Sequence, residues 1–189
     1  GGSGAGVNLS GIRSSYERLS SGGTPSGPVS FMRGADASAG TIKSGGTTRR
    51  AAKMVVLDVD HPDVEDFIWC KATEERKARV LAEAGFDMDL DGADSHSVQY
   101  QNANNSVRLS DEIMEAGEGN ADYELRAVAT GETLRTVPAR RLLRQIAEAA
   151  WECADPGVQF SSTINRWHTS AATGPINASN PCSEYLHLD

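Results

Sequence analysis

Residues 54–59 read Met-Val-Val-Leu-Asp-Val, a short apolar run rich in β-branched side chains. A run of this length suits a buried strand. His61-Pro62-Asp63 follows and opens a helix, with acidic residues in the first turn meeting the positive end of the dipole. That helix is expected through Lys71, with a second helical stretch from Thr73 to Ala84. A further helix is expected over 29–39, a short strand over 97–100 and a capped helix start at Ser110-Asp111-Glu112. Between Pro138 and Ala154, residues Leu142, Leu143, Ile146, Ala149, Ala150 and Cys153 recur at spacings of three and four, the period of one helix face. Asp155-Pro156-Gly157 ends it. Helices alternating with short apolar strands place the chain in the α/β class. No internal repeat is visible.

The 189 residues, 39% apolar and 23% charged, suffice for one domain with a core that needs no disulfides. No apolar run approaches the ~18 residues of a membrane span, and no signal peptide opens the chain. Twelve of the 19 glycines lie in the first 46 residues. Residues 1–50 carry a net charge of +4 and the remainder −12. An acidic chain argues against a nucleic-acid binder, which would show a broad basic face. A local basic, glycine-rich segment suits one small anion, or a flexible linker. Residues 14–28, dense in turn formers, read as a long functional loop.

Familiar motifs fail on spacing. Starting GxGxxG at Gly2 or Gly4 puts Val7 or Leu9 where the third glycine belongs, and no strand precedes it. The stretch from Gly40 to Gly45 resembles a phosphate loop until Gly46 occupies the lysine position. Asp87-Met-Asp-Leu-Asp-Gly92 copies half a calcium loop, but Val98 stands where the bidentate glutamate is needed. No cysteines pair as Cys-x-x-Cys and the four histidines are scattered, so no metal site is expected. Cys70 and Cys153 lie in apolar, helix-like surroundings and read as core.

Two polar stretches remain. The amides of 100–106 suit reading the edge of a nucleobase, and equally an Asn-rich surface turn. In Asn180-Pro181-Cys182-Ser183-Glu184, amide, thiol and carboxylate recur at every second residue. Fully extended, the outer pair would stand ~13 Å apart, too far to act on one sugar. Joint action needs a bend, which Pro181 favours. A carboxylate neighbour opposes a thiolate but is no obstacle to a thiol that gives up a hydrogen atom.

The chain resembles the large catalytic chain of ribonucleotide reductases, closest to the adenosylcobalamin-dependent class II. The resemblance rests on Gly-Ala-Gly-Val-Asn-Leu-Ser-x-Ile-Arg (4–13), Gly-Pro-Val-Ser-Phe-Met-Arg-Gly-Ala-Asp-Ala-Ser-Ala-Gly (27–40), Ser-Gly-Gly-x-x-Arg-Arg-Ala-Ala-Lys-Met (44–54), Gln-Asn-Ala-Asn-Asn-Ser-Val-Arg (101–108) and Asn-Pro-Cys-Ser-Glu-Tyr (180–185). It implies about the first half of a ten-stranded α/β barrel ending at the finger loop, here 169–189. Cys182 at the loop's tip would become a thiyl radical and take the 3′ hydrogen of a ribonucleotide. Glu184 would take the 3′-hydroxyl proton as general base, and Asn180 would hydrogen-bond the ribose. Gly4, Pro181 and Ser183 would line the substrate.

The resemblance further implies a deoxynucleotide or ATP effector. Arg13 would meet its phosphate, 14–27 would be the first specificity loop, and Gln99, Gln101, Asn102, Asn104 and Asn105 would belong to the second, within 97–108. Adenosylcobalamin as cofactor, an external thioredoxin-like dithiol, a homodimer and a cytoplasmic location complete what it implies. A second family arginine is replaced near Ser20. The cysteine pair that reduces the 2′ carbon matches neither Cys70 nor Cys153. An internal fragment, inactive alone, is therefore expected. The alternatives are a class I large-subunit fragment, whose radical comes from a partner subunit, and a non-catalytic nucleotide-binding module.

Overall fold

A computed structural model describes residues 4–41, 43–44, 49–50, 52–89 and 92–188. The phosphate-loop-like stretch at 40–46, the calcium-loop-like stretch at 87–98 and the opening glycines each include residues outside this set. The elements run β1 (Ala5–Asn8), α1 (Gly27–Gly40), β2 (Lys43–Ser44), β3 (Arg49–Arg50), β4 (Lys53–Asp58), α2 (Val64–Glu83), β5 (Ala103–Leu109), α3 (Asp111–Glu118), β6 (Asp122–Arg126), β7 (Thr133–Pro138), α4 (Ala139–Cys153), β8 (Gly157–Phe160) and α5 (Ser161–Arg166).

Strands β1, β4, β5 and β8 form a parallel sheet in the order β1-β4-β5-β8. The α/β class is thus observed, as an open four-stranded sheet among the described residues. Antiparallel pairs β2/β3 and β6/β7 stand apart from it. Strand residues alternate between faces. Val55, Leu57, Val107 and Leu109 pack with Met32 of α1, Phe67 and Ile68 of α2, Ile113 of α3 and Leu142 and Ile146 of α4 in one buried cluster. The opposite face carries Gly6, Asn8, Asp58, Asn104, Ser106, Arg108 and Gln159, with only Met54 and Val56 apolar in β4. All the helices of the cluster lie on one side, which leaves the polar side to other parts of the chain.

Four expectations change. The stretches read as two helices, to Lys71 and from Thr73, are one continuous α2, because Ala72 is buried and nothing breaks the helix there. Residues 97–100 form no strand; a 3₁₀ turn at Ser95–Ser97 leads to Tyr100 in the left-handed region, φ 61°. The strand lies six residues on, and the second half of the amide-rich stretch, from Ala103, belongs to β5 (Ala103–Leu109). Finally, β1, β8 and the β6/β7 hairpin arise where no strand was expected. The α4 helix runs as its spacing predicts and ends at Ala154, φ 63°.

Asp63, buried just before α2, bonds to the 14–28 loop. It accepts from Ser14 Oγ (2.6 Å) and Ser15 N (3.0 Å). Cys70 is buried, and burial pushes its thiol up to about 12; Cys153 is half-buried, with Asp155 O (3.2 Å) and Ala149 O (3.5 Å) both within reach of its one S–H. No helix among the described residues is long and apolar enough to cross a membrane.

Lys71 ties α2 to the sheet: its Nζ donates to Ala103 O (2.6 Å) and Asp155 Oδ2 (2.6 Å), while Asp155 Oδ1 accepts from Asn105 N (2.9 Å). Burial pushes the Asp155 carboxyl up, against the opposing pull of Lys71. Removing one partner of such a pair strands the other, a loss of about 3–5 kcal/mol. Lys71→Met is therefore expected to lower the urea unfolding free energy by that amount. Arg144→Ala, which breaks only the exposed Arg144–Glu148 pair, should change it by less than ~0.5 kcal/mol.

Candidate active site

The segment 176–181 lies across the polar face of the sheet and runs antiparallel to its strands. Asn8, Gly6 and Gly4 meet Asn177, Ser179 and Pro181 in turn, a step of two on both sides. Asn8 Nδ2 donates to Asn177 O (3.0 Å). A Cβ on Gly6 would stand 1.8 Å from Ser179 O, and one on Gly4 2.3 Å from Pro181 Cδ. These glycines are therefore close-approach positions: the segment sits where their side chains would be.

The other strands hold the same segment. Arg108, buried in β5, donates from Nη2 to Ile176 O (2.9 Å) and lies 3.4 Å through Nη1 from Asp58 Oδ1. Asn104 Nδ2 donates to Pro181 O (2.9 Å). Gln159 Nε2 donates to Ser179 Oγ (2.7 Å) and Ser183 Oγ (3.3 Å). From α5, Asn165 takes the Ile176 N–H (2.8 Å) and donates to Ile176 O (3.2 Å). A segment without helix or strand is thus bonded at nearly every residue from 176 to 181.

Beyond it the chain turns back. Ser183 N donates to Asn180 O (3.0 Å), Tyr185 N to Asn180 Oδ1 (3.0 Å) and Asn180 N to Tyr185 O (3.4 Å). The bend that joint action requires is present, closed between residues 180 and 183. Pro181 is buried beneath it, whereas Cys182, Ser183 and Glu184 are exposed. Asn180 spends its carbonyl oxygen on Tyr185, which leaves its NH2 to donate elsewhere. Gly4, Asn180, Pro181, Cys182, Ser183 and Glu184 are brought to one place.

The residues read as effector contacts are not brought together. Arg13 donates to Arg18 O (2.8 Å) and Glu17 Oε1 (3.4 Å) and lines an open hollow of about 410 Å³ with Pro25, Ser26 and Phe31 at the start of α1. Asn102 sits at the other end of α1, donating to Asp36 Oδ1 (3.1 Å, backbone) and Asp36 O (3.2 Å, side chain). At ~1.5 Å per residue the ends of this 14-residue helix are ~20 Å apart. Gln99 N donates to Glu74 Oε2 (2.8 Å) and Gln101 Nε2 to Gln99 O (3.0 Å). Asn105 faces the helices, its Nδ2 3.5 Å from Cys70 Sγ. Only Asn104 faces the turn that carries Cys182. Among the described residues no cluster of three or more His, Cys, Asp or Glu is placed to hold a metal ion.

Asn8, Arg108 and Gln159 were not anticipated. The signal for Asn8 was its place two residues beyond Gly6 in a Gly-x-Gly-x-Asn row; Gln159 carried none.

A family model for the ribonucleotide reductase barrel domain matches residues 1–189. A vitamin B12-dependent ribonucleotide reductase of Streptomyces clavuligerus is 69% identical over 189 residues, covering 100% of this chain and 20% of that protein. One from Rhodopirellula baltica is 54% identical over 190 residues, covering 100% and 18%. A vitamin B12-dependent ribonucleoside-diphosphate reductase of Mycobacterium tuberculosis H37Rv is 38% identical over 184 residues, covering 97% and 23%. The chain belongs to the ribonucleotide reductase family, within its barrel domain. It spans about a fifth of the length of these relatives.

Glu17 anchors the loop that follows Arg13. Its buried carboxylate accepts from Ser14 N (2.7 Å), Ala129 N (3.2 Å) and Val128 N (3.3 Å). Burial alone would raise its pKa, but these N–H groups and Arg13 outweigh it and hold the carboxyl below 4.5. A depressed folded pKa adds stability above the unfolded value that is lost as pH falls through the folded one. Glu17→Gln should therefore lower the urea midpoint at pH 7, and the gap to wild type should close as the pH is taken well below 4.5.

The Gly6 contact makes a second test. Gly6→Ala should cost about 1–3 kcal/mol, as overpacking does, and expose 176–185 to limited proteolysis. Gly11→Ala, with nothing within 4 Å of the added Cβ, should leave both unchanged.

Proposed function

We propose that this segment is part of the catalytic barrel of an adenosylcobalamin-dependent reductase that converts ribonucleotides to deoxyribonucleotides, with Cys182 as the radical-bearing residue. The observation that carries the reading is the closed turn at 180–183, which gathers an amide, an exposed thiol and a carboxylate over the polar face of a parallel sheet. The names of the relatives support vitamin B12 dependence over a radical delivered by a partner subunit.

Adenosylcobalamin, when bound, supplies the oxidising equivalent that removes the hydrogen atom from the Cys182 thiol. The exposure of that thiol fits a bulky reactant. The Cys182 sulfur radical then takes the hydrogen atom from the ribose C3′, so that an S–H bond forms as C3′–H breaks. Glu184 accepts the 3′-hydroxyl proton, and the Asn180 NH2 holds a ribose hydroxyl. The net change replaces the 2′-hydroxyl with hydrogen, releases water and takes two electrons from an external dithiol, through a cysteine pair that Cys70 and Cys153 do not supply.

In this reading the sheet is part of one half of a ten-stranded barrel, and 169–189 is the finger loop. Arg13 beside the α1 N-terminus offers an effector phosphate a guanidinium and free N–H groups. The amides of 99–105 would serve base recognition only where another surface joins them to that site.

In the full-length protein carrying this segment, Cys182→Ala is expected to form no deoxynucleotide. Glu184→Gln should lose about 10²–10⁴ in kcat, the range of a lost general base. Deoxynucleotide formation at the wild-type rate by Cys182→Ala would overturn the reading.

A further inference from the structure

We propose that Gln159 is the positioning residue for Cys182, acting through the hydroxyls of Ser179 and Ser183. The inference rests on the reading of Cys182 as the reacting thiol and adds a residue two elements away.

Gln159 projects from edge strand β8 onto the polar face and is 5% exposed. Its amide has two hydrogens, and each has an acceptor: Ser179 Oγ at 2.7 Å and Ser183 Oγ at 3.3 Å. The Ser179 hydroxyl donates onward to Asn180 O (2.9 Å), and the two serine oxygens stand 3.1 Å apart. With Ser183 donating to Ser179, every hydrogen in the group has one acceptor, and Ser179 Oγ uses both lone pairs. Asn180 O also receives the Ser183 N–H that closes the turn.

The group matters because of where Ser183 sits. It lies between Cys182 and Glu184 with φ 61°, a left-handed conformation costing a non-glycine residue about 1–2 kcal/mol. Relaxing that angle would swing Cys182 and Glu184 relative to one another. Ser183 is exposed, and its hydroxyl bonds and the backbone bond to Asn180 hold it there. Gln159 is the buried end of that chain of bonds. Its amide hydrogens go to the two serines and not to the thiol.

The test uses the full-length protein with adenosylcobalamin, a ribonucleotide and dithiothreitol. Gln159→Leu keeps the bulk and removes both donors. Since a misplacement of ~1 Å costs about 100-fold in rate, kcat should fall by about 10–100-fold with KM within about twofold, the pattern of an interaction lost only in the transition state. Exchange of the Ser183 amide hydrogen should accelerate in the same variant. Ser183→Gly should retain more activity than Ser183→Ala, because glycine takes the positive φ without strain while alanine keeps the strain and loses the hydroxyl. This second pair lies on the surface and bears on the proposal even where Gln159→Leu unfolds.

Wild-type kcat in Gln159→Leu, a rise in KM alone, or equal loss in both Ser183 variants would each overturn the positioning role. If those results come with an inactive Cys182→Ala, only the positioning role falls. If Cys182→Ala is as active as wild type, the reading of Cys182 falls and takes Gln159 with it.

Discussion

The Ser179 carbonyl oxygen occupies the space that a side chain at residue 6 would fill. The contacts of the 176–181 segment with the sheet depend on that approach. With the backbone seated against β1, Asn8 and Arg108 reach its carbonyls, Asn104 reaches Pro181 O and Gln159 reaches its hydroxyl. The basic, glycine-rich opening, compatible at first with an anion site or a linker, is at Gly4, Gly6 and Asn8 a bearing surface. What it admits is the protein's own chain.

This arrangement solves a problem of polarity. A sheet face bearing Asn, Asp, Arg and Gln cannot be covered by an apolar helix without stranding polar groups. It is covered instead by an irregular segment whose backbone groups are themselves in need of partners. The helical face shows the opposite solution, where Val55, Leu57, Val107 and Leu109 meet α2 and α4. One strand serves both: β5 alternates Asn104, Ser106 and Arg108 with Ala103, Asn105, Val107 and Leu109. The exception on the apolar side, Asn105, sits beside the Lys71–Asp155 pair.

How much was legible varied with the physics of each element. The α4 helix could be read from its spacing because one helix face buries Leu142, Ile146 and Ala149 and the opposite face does not. Strand β4 could be read because both its faces are covered, leaving a continuous apolar run. The same reasoning missed β5, since a strand with one polar face looks like a turn when Asn102, Asn104 and Asn105 crowd its start. Strand β8 is four residues long, and Val158 and Phe160 remain partly exposed at the edge of the sheet. The bend around Cys182 was inferable from the reach of an extended chain. The partners that hold it were not, because Gln159 and Asn8 are distant in sequence and acquire their role only when the sheet aligns them.

The two walls of the seat stand on opposite edges of the sheet. Gly6 belongs to β1, the first strand in the order, and Gln159 to β8, the last. The distance between them is set by the twist accumulated over the intervening strands, and no single bond controls it. A change in sheet curvature thus tilts the turn at 180–183 even with every hydrogen bond intact. The bearing of the thiol is a property of the whole sheet's shape, and distant packing changes that flatten or coil the strands reach it as a rotation.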